Sequence, residues 1–174
     1  MTYKYNNLIT EASEFAKSLK YSGKMILDLG CGNGRDTTFF KTNNNALGVD
    51  LNPPSGWSFV KDDVENYLNV IDTDSVKIDV VYCRFFLHSI SEELETKIIK
   101  WSFDNAKEIA IETRIIGDKP LLYQDHERRF INPPDLIKKL LDTGFKELDI
   151  KVGYGMAKLR EEDPYVMRIV AKKV

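Results

Sequence analysis

An α/β protein built on a mostly parallel sheet is the fold this sequence predicts, on three observations. Short runs rich in Ile, Val and Leu alternate with segments of helical periodicity; a glycine-rich turn joins the first such run to a helix; and two β-rich runs follow one another near the C-terminal end. Alternation of strands and helices is what parallel pairing needs, because each parallel connection must cross back over the sheet. The 174 residues, 43% hydrophobic and 11% aromatic, suffice for one domain with a sizeable core. We expect a single domain over 1–174, with an N-terminal arm and helix at 1–22, a long loop at 114–131 and a β-hairpin at 146–174.

The first helix is expected over Thr10–Leu19, with Phe15, Ala16 and Leu19 at helical spacing. Met25–Leu29, Ala46–Val49, Ser58–Val60, Ile78–Tyr82 and Ile109–Ile111 read as strands, since strands buried on both faces are near-continuous apolar runs. Ser91 before Glu92 and Glu93 places a cap and two carboxylates at the positive end of a helix reaching about Trp101, with Leu94, Ile98 and Trp101 inward. Asn132-Pro133-Pro134-Asp135 starts another, which ends at Gly144. Lys146–Val152 and Val166–Lys172 have no room for a helical crossover between them, so they should pair antiparallel at a sheet edge. Asn43-Asn44-Asn45 is a turn after a helix.

Composition excludes several classes. Lys+Arg 25 against Asp+Glu 27 leaves a net charge of −2, so there is no global basic field for nucleic acid or an acidic membrane, and any anion site must be local. No apolar run approaches the ~20 residues of a membrane span, and the start MTYKYNNLITEASEF lacks a signal-peptide stretch, so a cytoplasmic location is expected. Cys31 and Cys83 are too few for a disulfide framework and lack zinc-site spacing; reduced thiols are the default.

The most informative segment is Met25-Ile26-Leu27-Asp28-Leu29-Gly30-Cys31-Gly32-Asn33-Gly34-Arg35-Asp36. Glycines at 30, 32 and 34 remove Cβ atoms where the backbone turns sharply and let a ligand approach it beside a helix start. Ala46-Leu47-Gly48-Val49-Asp50 is a second strand ending in a carboxylate, placed to accept both hydroxyl hydrogens of a ribose. A dinucleotide fingerprint would need a third glycine where Arg35 stands, which counts against a nicotinamide-dependent oxidoreductase.

Asp28-Leu29-Gly30-Cys31-Gly32-Asn33-Gly34 resembles the first motif of the class I S-adenosylmethionine (SAM)-dependent methyltransferases, D-x-G-x-G-x-G after an apolar strand. The resemblance spans about residues 24–174. It implies a Rossmann-like, mostly parallel seven-stranded sheet of order 3-2-1-4-5-7-6, strand 7 antiparallel, with helices on both faces. It implies SAM as cofactor and S-adenosylhomocysteine as product. Asp28 would organise the glycine loop and the methionine ammonium, Asp50 would bind the ribose, and Leu51 would wall the adenine. In Lys61-Asp62-Asp63-Val64, Asp63 would face the exocyclic amine and the Val64 N–H the ring, although Asp62 stands where a glycine is common and which aspartate acts stays open. Cys31 and Cys83 would be small fillers beside the cofactor, and Cys83-Arg84-Phe85-Phe86 would underlie the methionine moiety. Asn52-Pro53-Pro54-Ser55 and Asp163-Pro164-Tyr165 look like the Asn/Asp-Pro-Pro-Tyr turn of amine methylation but do not follow the fourth strand. That disfavours methylation of a base or amide nitrogen.

The ends of strands four and five carry Arg84, His88, Glu112 and Arg114, followed by a loop too long for an ordinary connection and therefore a candidate acceptor loop. Arg84, Arg114, Arg128 and Arg129 are four of only seven arginines, and the guanidinium fork suits a carboxylate or phosphate. They imply a small anionic acceptor; the competing reading is that they pair with Asp125, Glu127 and Glu112 and pin the loop. His126 would serve as general base for a hydroxyl acceptor, whereas a phosphate or carboxylate oxygen would need none. His88 reads either as part of this cleft or as a residue packed at a helix start. Tyr3 and Tyr5 are either a lid over the cofactor or a frayed terminus. The Glu112–Arg114 strand end, the Asp125-His126-Glu127-Arg128-Arg129-Phe130 loop, Gly153–Ala157 and Asp163-Pro164 resemble more weakly small methyltransferases of bacterial surface-polysaccharide synthesis. That implies O-methylation of a phosphorylated or nucleotide-linked glycan precursor. A non-catalytic SAM-binding module or partner subunit is the alternative, and the oligomeric state is not indicated.

Overall fold

The computed structural model describes residues 10–118, 128–159 and 161–174. Seven strands form one sheet in the order β3-β2-β1-β4-β5-β7-β6. They are β1 (Met25–Leu29), β2 (Asn45–Asp50), β3 (Phe59–Lys61), β4 (Val80–Arg84), β5 (Glu108–Arg114), β6 (Glu147–Gly153) and β7 (Val166–Lys172). The pairs from β3 to β5 are all parallel, and β7 runs antiparallel to both β5 and β6. This is the expected topology, with the C-terminal pair closing the sheet because no helix separates its strands.

Helices cover both faces. On one, Phe15 and Ala16 of α1 (Glu14–Leu19) and Phe40 of α2 (Arg35–Phe40) pack on Ile26, Ala46, Val80, Tyr82 and Ala110. On the other, α3 (Val64–Val70), α4 (Glu92–Asn105) and α5 (Pro133–Thr143) bury Val64, Leu68, Ile98, Ile99, Leu136 and Leu140 against Leu27, Leu29, Val81, Ile109 and Ile169. Strands one and four are therefore apolar toward both layers, as their composition predicts.

Boundaries differ from expectation where a distant partner decides them. α1 begins at Glu14 rather than Thr10, because Ser13 turns its hydroxyl onto the Ala16 N–H as an N-cap and is tied by its own N–H to Asp36 of α2. β4 starts and ends two residues later than its apolar run, and β5 extends to Arg114 because β7 pairs with it along its whole length. Asn132 occupies the N-cap of α5, but its side-chain amide donates to Asp135 rather than capping the helix. α3 is a helix the sequence periodicity does not single out; Asp63 caps it by accepting from Glu65 and Asn66 N–H groups. No described helix is long and apolar enough to cross a membrane.

Candidate active site

The turn after β1 passes through left-handed conformations at Gly30, Gly32 and Gly34, with φ values of 71°, 55° and 73°. Only glycine takes this path without strain. The turn is also crowded on its sides: a Cβ on Gly30 would fall 2.3 Å from the Phe86 ring, and one on Gly34 2.5 Å from Phe59. At Gly32, by contrast, a Cβ would meet no described residue within 4 Å, so among those residues the crest of the loop borders open space. The loop is fastened to the neighbouring strand, for the Gly30 and Cys31 N–H groups both donate to the Val49 carbonyl at 2.8 and 3.2 Å.

Asp50 ends β2 against this loop. Its Oδ2 accepts the Gly32 N–H at 3.0 Å and its Oδ1 the Asn52 N–H at 2.9 Å, which fixes the carboxylate while leaving lone pairs on both oxygens for a diol. Leu51, 60% exposed, stands next to it as an unpaired apolar wall. Asp63 spends one oxygen on capping α3, and Asp62 accepts the Asp63 N–H. Asn33 accepts from the Arg35 N–H at the start of α2.

Beneath the loop, Asp28 is buried and accepts the Thr37 hydroxyl at 2.6 Å. Burial, reinforced by the nearby Asp36 and Asp50 charges and opposed by that hydrogen bond, pushes its pKa up to about 8. Cys31 and Cys83 have thiol pKa values raised by burial, so neither is a poised nucleophile. The Cys31 contact is steric: its Sγ lies 2.8 Å from where a Cβ on Gly48 would sit.

The other half of the cleft is electrostatically closed. Arg84 donates to Glu112 at 2.8 Å, Arg168 donates to the second Glu112 oxygen at 2.5 Å, and Glu112 is 0% exposed. Burial opposes the Arg84 charge, but Glu112, Tyr82 and Asp36 outweigh it and hold its pKa above the usual arginine value. Asp36 accepts from the Ser13 N–H and hydroxyl and from Tyr82, so α1, α2, β4, β5 and β7 meet in one polar network. Arg114 donates to Asp118 at 3.0 Å and to Glu162 at 2.8 Å, while its buried Nε has no partner among the described residues. Arg129 clasps the turn after β4, donating to the Ile90 and Leu87 carbonyls and to Glu95. Arg84, Arg114 and Arg129 are thus paired with acids, and of the acids proposed for that pinning Glu112 is one; Asp125 and Glu127 lie outside the described residues. So do His126, Tyr3 and Tyr5. Arg128 is half-buried at the return of the long loop. His88 is buried in the 3-10 turn Leu87–Ser89, with Nδ1 3.3 Å from Thr113 Oγ1.

Three residues of this half were given no role of their own by the sequence. Arg168 could have been noticed as the one charge inside the apolar run VMRIVA, and Asp36 as a carboxylate facing the sheet from the start of α2. Phe85 could not. It takes a left-handed φ of 51° at the end of β4, its N–H donates to the Glu112 carbonyl at 2.7 Å, and its ring lies 4.5 Å from Arg84 and 5.8 Å from Arg114.

A mostly parallel sheet in this strand order, with a glycine turn after β1 and an acid ending β2, has solved counterparts. A SAM-dependent methyltransferase from Archaeoglobus fulgidus superposes with a TM-score of 0.70 over 90% of both chains, at 20% identity. One from Methanosarcina mazei matches at a TM-score of 0.65, covering 94% of this chain and 99% of that chain, at 16% identity. The fold is that of the class I methyltransferases. The magnesium protoporphyrin IX methyltransferase of Synechocystis, solved with bound SAM, covers 92% of this chain and 74% of that chain, with a TM-score of 0.62 and 16% identity. No family model matches the sequence, and no curated protein matches it. Among the described residues no cluster of His, Cys, Asp or Glu could hold a metal.

Proposed function

We propose that this protein binds SAM at the β1–β2 end and transfers its methyl group to a small acceptor presented at the ends of β4 and β5, releasing S-adenosylhomocysteine. The observation that carries the reading is the glycine turn held against Asp50: an open crest at Gly32, and beside it a carboxylate fixed by two backbone N–H groups with both oxygens still able to accept. Asp50 takes the ribose hydroxyls, Leu51 walls the adenine, and Val64, whose N–H opens α3 beside the Asp63 cap, meets the ring edge. Gly30, Cys31, Gly32, Asn33 and Gly34 line the methionine side, with Asp28 below and Cys83 behind. The methyl group arrives on a sulfonium, an activated donor that needs in-line alignment more than acid–base help. The protein's task is then to orient the acceptor and exclude water.

The ion pairs refine the acceptor side. Arg84 and Arg129 are positioning residues that hold Phe85 and the turn after β4. On the acceptor side Arg114, whose buried Nε has no partner among the described residues, and Arg128 meet an anionic group on the substrate. Methylation of an oxygen is favoured, with His126 as base where that oxygen is a hydroxyl; a phosphorylated or nucleotide-linked glycan precursor in the cytoplasm fits a site with so little chain outside the sheet. Isothermal titration with SAM and with NAD tests the cofactor, and S-adenosylhomocysteine release across phosphorylated sugars, nucleotide derivatives and small acids tests the acceptor. Binding of SAM and not NAD is expected. Preference for NAD overturns the reading; SAM binding with no turnover on any acceptor leaves a binding module instead.

A further inference from the structure

The two edges of the sheet are treated differently. β3 offers three residues, too short to template much pairing, whereas β6 offers seven in unbroken register with β7 from Glu147 to Gly153. That outer edge has no proline and no bulge, and its Ile150 and Val152 are 37% and 47% exposed. Both stand opposite buried residues, Ile169 and Met167, so they extend the layer packed under α4 and α5 beyond the last strand. Natural proteins blunt or cover such edges, because an open row of N–H and C=O groups recruits another strand.

The sequence of β6 specifies which strand. A two-fold axis normal to the sheet keeps each residue on its own face, so residues facing across it must have the same parity. With the axis through Ile150, the midpoint, all seven residues are used: Asp149 faces the partner's Lys151 twice, Leu148 faces the partner's Val152 twice, and Ile150 faces its own copy. An axis through Asp149 or Lys151 instead sets two like charges directly opposite and leaves overhanging ends, both unfavourable. We propose that β6 pairs antiparallel with β6 of a second copy about an axis through Ile150, continuing the sheet into a homodimer.

Sedimentation velocity up to about 100 μM, a range in which modest interfaces associate, should show a species of twice the 20.0 kDa chain mass. Asp149→Lys and Lys151→Asp each replace two attractive cross-strand pairs by two repulsive ones, and each should raise the dimer dissociation constant roughly tenfold or more. The double variant Asp149→Lys/Lys151→Asp re-pairs the charges and should return it to near the wild-type value. Both side chains are exposed, so the fold should tolerate all three; Ile150→Arg, which puts two guanidinium groups on the axis, provides an independent monomer. A wild-type chain that stays monomeric throughout overturns the proposal. Single variants that leave the dimer unchanged place the interface elsewhere, and a double variant that is not rescued refutes the register. SAM binding plays no part in these readouts, so their outcome is separate from that of the functional reading.

Discussion

The two halves of the cleft are built by opposite means. The β1–β2 half is made of close neighbours in sequence: glycines whose turn borders open space, and one carboxylate fixed by backbone N–H groups from its own loop and the next. The β4–β5 half is made of charges that find their partners far along the chain, Arg84 and Arg168 reaching Glu112 across 28 and 56 residues. Local construction leaves polar capacity facing outward for a ligand. Long-range construction spends it internally, which makes that half a rigid support whose own net charge is small.

The sharpest way to break this contrast is Glu112→Gln. Removing the charge takes the short anionic contact from two largely shielded guanidinium groups, Arg84 keeping only Asp36 at 3.9 Å, and breaking such a pair costs about 3–5 kcal/mol. Urea denaturation should show that loss; a variant as stable as wild type would mean the network is not the support described. Asp50→Ala should do the reverse. The residue is only partly buried, so the thermal midpoint should move little while SAM affinity falls roughly 100-fold, the scale of two hydrogen bonds to a charged group. A variant that binds SAM normally would remove Asp50 from the site.

Asp28 lies between the two behaviours, in the local half but buried. With its pKa raised from 3.8 to about 8, the folded chain keeps a proton that the unfolded chain has lost between those pH values. The unfolded state then binds fewer protons, and stability falls as pH rises through that window, by at most about 1.4 kcal/mol per unit from this group, levelling off above pH 8. Asp28→Asn keeps an acceptor for Thr37 without a charge. Its stability relative to wild type should therefore climb from pH 5 to pH 8, read by thermal melts, while SAM affinity drops if the carboxylate meets the methionine ammonium. A pH-independent difference would show that Asp28 is not held protonated.

This division also explains what could be read in advance. The alternation of strands and helices, the glycine turn and the acid ending β2 were legible because each rests on spacing within about twenty residues, whereas the strand order came from the family resemblance. The roles of Arg84, Arg114 and Arg129 were not, since a guanidinium reads identically whether its partner is a substrate or a Glu brought alongside by a distant strand. Local patterning likewise missed α3, whose N-terminus is set by the Asp63 cap rather than by an apolar stripe, and it placed the start of α1 four residues early because Asp36 lies 23 residues from Ser13. Arg128→Ala tests what remains of the anion reading. It should raise the acceptor KM about tenfold, the value of one charge-assisted hydrogen bond, with SAM affinity unchanged; an unchanged KM would remove Arg128 from the acceptor site.

The smallest effect concerns Phe85, the one place where the supporting half stores strain. A bulky residue with φ of 51° costs on the order of 1 kcal/mol, and it persists only when its surroundings hold it there. Here they do: its N–H is taken by the Glu112 carbonyl, and its ring lies beside two guanidinium groups and edge-on to His88 rather than in either apolar cluster. Phe85→Ala loses the ring and keeps the strain, whereas Phe85→Gly loses both. Glycine should thus be the more stable of the two by about 1 kcal/mol, the reverse of the usual order in regular structure. Since the ring is not core, both variants should fold, and both should lose acceptor turnover if the strain serves to present that ring at the cleft. Alanine more stable than glycine would mean that the turn relaxes without Phe85, and that the end of β4 is held by its ion pairs alone.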